Sequence, residues 1–145
     1  MLAGRLLAMT APHGARVLLN GDVDTARELG CAGVHWSATR LSAARSRPQD
    51  MLCAASTHDA AELAQAAKLG VDFAVLGPVH ATPSHPDARP LGWQRFAELV
   101  TRSPLPVYAL GGLTAADLDA AIAHGAHGVA LRRAAWPSTP GGSGN

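Results

Sequence analysis

The residues best suited to chemistry fall into a few short clusters. Ala109-Leu110-Gly111-Gly112-Leu113-Thr114 is an apolar run that enters a diglycine turn and then a helix start. Without side chains at Gly111 and Gly112, backbone amides can approach an anion closely, and a helix N-terminus behind them adds roughly half a positive charge. A phosphate suits such a turn, and a methyl group at Gly112 would intrude on it. The alternative is that both glycines simply make a tight turn. Arg132 and Arg133 close the next apolar run, and as strand residues at most one of them would face a ligand. The stretch from Gly77 to Pro86 is a long polar loop in which Thr82, Ser84 and His85 can hydrogen-bond a phosphate or diphosphate. His80 or His85 can move protons near neutral pH, which makes them the catalytic candidates. The alternative for this stretch is a proline-rich surface loop. His124 and His127 have the spacing of a metal pair on one helical face, but Gly125 interrupts the helix between them. Both therefore read as surface residues, and no metal ligand is assigned.

The elements that must position these clusters repeat one theme, a helical run closed by glycine and followed by an apolar strand. It appears at Ala26 to Gly30 before Gly33 to Trp36, at Ala66 to Gly70 before Phe73 to Leu76, and at Ala121 to Gly125 before Val129 to Leu131. Gly30, Gly70 and Gly125 stand where a left-handed residue ends a helix, a conformation cheap for glycine. Strands are expected near Arg16–Asn20, Gly33–Trp36, Leu52–Ser56, Phe73–Gly77, Pro106–Leu110 and Gly128–Arg132. Each is a short apolar run of the kind buried on both faces of a parallel sheet. Leu63, Ala66 and Ala67, and again Phe96, Leu99 and Val100, give helical stripes. Asp22 and Ser56 or Thr57 are expected caps, and Thr114 with Asp117 reads as a capping box.

The fold class is therefore α/β, a parallel (β/α) barrel of TIM type, in one domain over residues 1–136 with a disordered tail at 137–145. In such barrels ligands bind at the carboxyl ends of the strands. Asn20, Ser56, the Gly77 loop, the diglycine and the arginine pair all follow strands, so they converge on one binding face.

Composition limits the function classes. Of 145 residues, 48% are hydrophobic and 16% charged, with a formal net charge of +1, which fits a packed globular chain and not a nucleic-acid binder. Cys31 and Cys53 lie in apolar stretches without ligand spacing and read as buried reduced thiols, which points to the cytoplasm. Met1 to Met9 reads as a short amphipathic helix; Gly4, Arg5, Pro12 and Gly14 rule out a membrane span.

Five ordered segments carry a resemblance: Gly33-Val34-His35, Ser56-Thr57-His58, Val75-Leu76-Gly77-Pro78-Val79 with Thr82-x-Ser84, Ala109 to Leu113, and Gly128-Val129-Ala130. From about residue 15 to residue 135, they resemble the strand-end motifs of the thiamine phosphate synthase and TenI family. The resemblance implies a phosphate site at Gly112 and the last strand, and a diphosphate-facing loop at Thr82 and Ser84. In the synthase these join a phosphorylated thiazole to an aminopyrimidine diphosphate with magnesium, releasing pyrophosphate. Asn20 matches the family's asparagine, but its magnesium-binding aspartate aligns with Gly21 and the second acidic ligand with Arg40. The lysine after Thr-x-Thr is His85, and the TenI-type tautomerase histidine falls at Pro78, two positions before His80. Family barrels carry two further βα units before the asparagine strand, so about six of eight are expected here. That implies a homo-oligomer or part of a longer polypeptide, and the chain is especially similar to the TenI-type C-terminal domain of Nudix (MutT) fusion proteins. The implied function is binding of thiazole phosphate or thiamine phosphate in thiamine biosynthesis or salvage, with magnesium if synthase activity is retained. The alternative is a non-catalytic ligand-sensing or structural domain.

Overall fold

Apolar runs that lose water on both faces form a sheet covered by helices, and the computed structural model, which describes residues 2–136, has that arrangement. Helix α1 (Leu2–Thr10) precedes five βα steps and a final strand: β1 (Leu18–Leu19), α2 (Val23–Leu29), β2 (Gly33–Trp36), α3 (Ala38–Ala43), β3 (Leu52–Thr57), α4 (Ala60–Leu69), β4 (Phe73–Leu76), α5 (Gly92–Thr101), β5 (Val107–Leu110), α6 (Leu118–Ala123) and β6 (Gly128–Ala130). All neighbouring strands pair in parallel, in the order β1-β2-β3-β4-β5-β6. Sequential order with a helix after each of the first five strands is the winding of a (β/α) barrel, and β1 and β6 are its open edges.

Two apolar clusters bind the helices to one sheet face. Val34, Trp36, Cys53 and Ala55 pack with Ala26, Leu41 and Ala66 of α2, α3 and α4. Ala74, Leu76, Val107 and Ala109 pack with Leu63 of α4 and with Phe96 and Leu99 of α5. Alternation along each strand then turns His35, Ser56, Val75 and Leu110 to the opposite face. Among the described residues no helix is long and apolar enough to cross a membrane.

Local signals explain the helix ends. Asp22 caps α2, its Oδ1 accepting from the Thr25 amide and its Oδ2 from the Thr25 hydroxyl, each at 2.8 Å. The Thr25 amide bond, with the hydroxyl bond behind it, holds the Asp22 carboxyl below its ordinary value. Gly30 and Gly70 end α2 and α4 at φ +72° and +68°. One expectation needs correction. Neither Ser56 nor Thr57 caps α4: both finish β3, and Asp59 caps instead, Oδ1 accepting from the Glu62 amide at 2.8 Å. The box forms with Asp117 Oδ2 accepting from the Thr114 amide at 2.8 Å, but it opens a 3-10 turn, Ala115–Asp117, before the short α6.

The first and last strands are also shorter than the apolar runs suggested, Leu18–Leu19 and Gly128–Ala130. Among the described residues each pairs with a strand on one side only. The tail expected at 137–145 lies outside the described residues. Cys31 and Cys53 are buried free thiols, and burial pushes the Cys53 thiol up to about 11.

Candidate anion-binding site

The carboxyl end of the sheet encloses a cavity of about 230 Å³. Its floor is the helix-free face of the strands, with Ser56, Val75, Leu110 and Ala130. Its walls are Thr82, Pro83, Ser84 and His85 on one side, Gly111, Gly112 and Leu113 on another, and Arg132 and Arg133 at the mouth. His58 also borders it, and no carboxylate side chain does among the described residues. Guanidinium and imidazole groups beside small hydroxyls are chemically suited to an anion.

Eight of the ten predicted site residues meet there: Ser56, Thr82, Ser84, His85, Gly111, Gly112, Arg132 and Arg133. Asn20 and His80 do not line it. Asn20 is exposed just beyond β1. The His80 ring sits edge-on to Trp93, with centroids 5.8 Å apart, and packs the base of the loop against α5. Both arginines border the cavity because β6 ends at Ala130, so strand alternation does not reach them. His124 is half-buried rather than on the surface, its ring stacked on Trp93 at 5.2 Å and its Nδ1 2.7 Å from the Ala120 carbonyl oxygen. His127 is exposed.

The diglycine is required first by packing. Past β4 the chain continues beside β5, with the Val79 amide donating to the Leu110 carbonyl at 2.8 Å and the His80 amide to the Gly111 carbonyl at 3.1 Å. A Cβ at Gly77 would collide with the Leu110 carbonyl, and one at Gly111 with the Pro78 backbone. Gly112 has φ +65°, and a Cβ there would lie 2.9 Å from the Ala81 carbonyl oxygen and 3.0 Å from the His80 Cβ. The expectation that a methyl at Gly112 would intrude on the anion is therefore corrected: it would strike the neighbouring loop, and Gly112→Ala is no clean probe of binding. The loop is closed at its base, where the amides of Leu91 and Gly92 donate to the carbonyls of Pro78 and Val79 at 2.8 Å each. At its tip the Ser84 amide donates to Thr82 Oγ1 at 3.3 Å.

Two histidine contacts were not foreseen. His35 Nε2 lies 2.8 Å from Ser56 Oγ on the next strand, and burial holds the His35 ring below its ordinary value. Ser56 is thus paired with a half-buried imidazole on the adjacent strand. The pairing spans two strands and depends on register, which no local spacing reveals. His58 contacts Glu62, and here the i,i+4 spacing was a readable signal.

Magnesium of the kind the resemblance implies does not fit these residues. The positions that the resemblance aligns with the magnesium carboxylates hold Gly21 and Arg40, Asp22 uses both oxygens on Thr25, and Asp24 pairs with Arg27 at 2.8 Å. Among the described residues no three His, Cys, Asp or Glu side chains are grouped to hold a metal ion.

Fold and site together define a (β/α) barrel-type protein with a basic-lined cavity at its strand ends. A family model described as thiamine monophosphate synthase matches residues 1–135, and the chain belongs to that family. It is 37% identical over 136 residues to a thiamine-phosphate synthase of Gloeobacter violaceus, covering 92% of this chain and 40% of that protein. It is 37% identical over 134 residues to a putative thiamine-phosphate synthase of Geobacter sulfurreducens, covering 90% and 63%. The chain thus spans 40% and 63% of the lengths of these two curated relatives. A solved thiamine phosphate pyrophosphorylase from Pyrococcus furiosus superposes with a TM-score of 0.72 at 24% identity, covering 90% of this chain and 63% of that one. At that identity the likeness concerns the fold.

Proposed function

We propose that the chain is a thiamine-phosphate-synthase-like domain that binds a phosphorylated thiazole or thiamine phosphate at the carboxyl ends of its strands. The observation that carries this reading is the cavity bordered by Arg132, Arg133, His58 and His85 with no lining carboxylate among the described residues. Its basic mouth suits the phosphate, and the apolar floor of Val75, Leu110 and Ala130 suits a ring. Because the magnesium carboxylates are replaced by Gly21 and Arg40, binding in this reading is independent of magnesium. The open edges at β1 and β6 are covered, in the same reading, by a second copy or by further chain.

The test is a thermal-shift titration with thiazole phosphate, thiamine phosphate, pyrophosphate and inorganic phosphate, each in chelator and in magnesium. A ligand in large excess over its Kd stabilises by roughly 2–4 kcal/mol, several degrees for a domain of this size. Stabilisation by the thiazole compounds above inorganic phosphate, in chelator, is the expected result. A folded sample that none of them stabilises contradicts it.

Family membership favours a second reading, the synthase reaction itself. It predicts thiamine phosphate from thiazole phosphate, aminopyrimidine diphosphate and magnesium. A ligand-sensing role within a longer polypeptide, such as the Nudix fusions this chain resembles, predicts the same binding without turnover.

A further inference from the structure

His58 stands at the cavity but belongs to none of the loops assigned to phosphate binding. One oxygen of Glu62, Oε2, receives both the His58 amide at 2.6 Å and its ring Nδ1 at 2.9 Å. A carboxylate facing Nδ1 fixes the proton on that nitrogen and leaves Nε2 for another partner. Among the described residues nothing takes Nε2, while the ring borders the same space as Arg132, Arg133 and His85. Asp59 already caps α4 through the Glu62 amide, so the Glu62 carboxylate is not needed by that helix amide and reaches back to His58 instead.

We propose that His58 is a ligand-contacting residue of this cavity, oriented by Glu62, and that its Nε2 meets a phosphoryl oxygen opposite the two arginines. The inference rests on the reading that the cavity binds a phosphorylated ligand. With the ring protonated, Nε2–H donates to a phosphoryl oxygen; with the ring neutral, Nε2 accepts from a protonated one. Glu62 is a positioning residue, since it acts through the ring and does not border the cavity. His58 and Glu62 are both partly exposed, 47% and 28% at the side chain, so a ligand can reach the ring without opening the fold.

Inorganic phosphate is the probe, followed by calorimetry and by nitrogen-15 spectra of the histidine rings. In the wild type, saturation should move the His58 Nε2 resonance. His58→Gln should weaken phosphate binding roughly tenfold, the loss of one hydrogen bond to a charged group. Glu62→Gln can still accept the His58 amide through its side-chain oxygen. It should weaken binding by a smaller factor, and its ring spectrum should reveal a mixture of tautomers before phosphate is added. Phosphate binding that His58→Gln leaves unchanged, or an Nε2 resonance unmoved at saturation, overturns the inference alone. A wild type that binds neither inorganic phosphate nor thiazole phosphate overturns it together with the proposed function. Should His58→Gln not fold, the wild-type resonance decides the matter.

Discussion

Arg132 and Arg133 are exposed and lie beyond the end of β6, so replacing them tests binding with little cost to the fold. The double change Arg132→Ala, Arg133→Ala should weaken thiazole phosphate by roughly 10- to 100-fold, since charged hydrogen bonds to a phosphate are each worth about 1.5–3 kcal/mol. Calorimetry reads the affinity, and the melting temperature should stay within a degree or two of the wild type. His35 gives a pH dependence. Burial lowers its folded value below the ordinary 6.5, so the unfolded chain takes up the proton first as pH falls. The stability of the neutral ring is therefore full above about 6.5 and is lost as pH falls through the folded value. Urea unfolding between about pH 7.5 and about pH 5.5 should show a larger loss in the wild type than in His35→Gln; equal losses would contradict the buried neutral ring. At this scale the sequence was informative about residue types and poor about directions. Thr82, Ser84 and His85 line the cavity at the strand end, where their position after a strand puts them, whereas the turning of His80 toward Trp93 depends on how the next helix packs back on the loop.

Elements meet at glycines, and there packing decides more than composition. Gly77 lies where β4 passes β5 so closely that a Cβ would collide with the Leu110 carbonyl. Gly77→Ala should cost about 2 kcal/mol or more, or prevent folding, because neither backbone can yield without breaking the Val79–Leu110 hydrogen bond. Gly4 is the contrast: it lies inside α1 with nothing near its missing side chain, so Gly4→Ala should stabilise by about 0.5–1 kcal/mol. Chemical denaturation of both variants checks the pair, and a Gly77→Ala chain as stable as the wild type would refute the close approach. The helix ends at Gly30 and Gly70 were legible because each needs only its own backbone conformation. The α4 cap was misplaced because Ser56 and Thr57 extend β3 by pairing with Val75 and Leu76, a demand made by the neighbouring strand.

Over the whole molecule, the repeated helix-glycine-strand unit made the parallel barrel winding readable, since every unit states its own local preference. The extent of the edge strands was not readable, because it depends on whether a partner lies alongside. If the open edges at β1 and β6 are covered by a second copy, sedimentation at rising concentration should reveal a species heavier than the 14.9 kDa chain; a monomer throughout would exclude a self-associated form. The central claim is that the strand-end cavity recognises a phosphate ester without magnesium. Its most direct test is calorimetric titration, in chelator, of thiazole phosphate against the same thiazole as its free alcohol. The account predicts binding of the phosphate ester at least tenfold tighter than the alcohol, whereas equal affinities, or none for either, would contradict it.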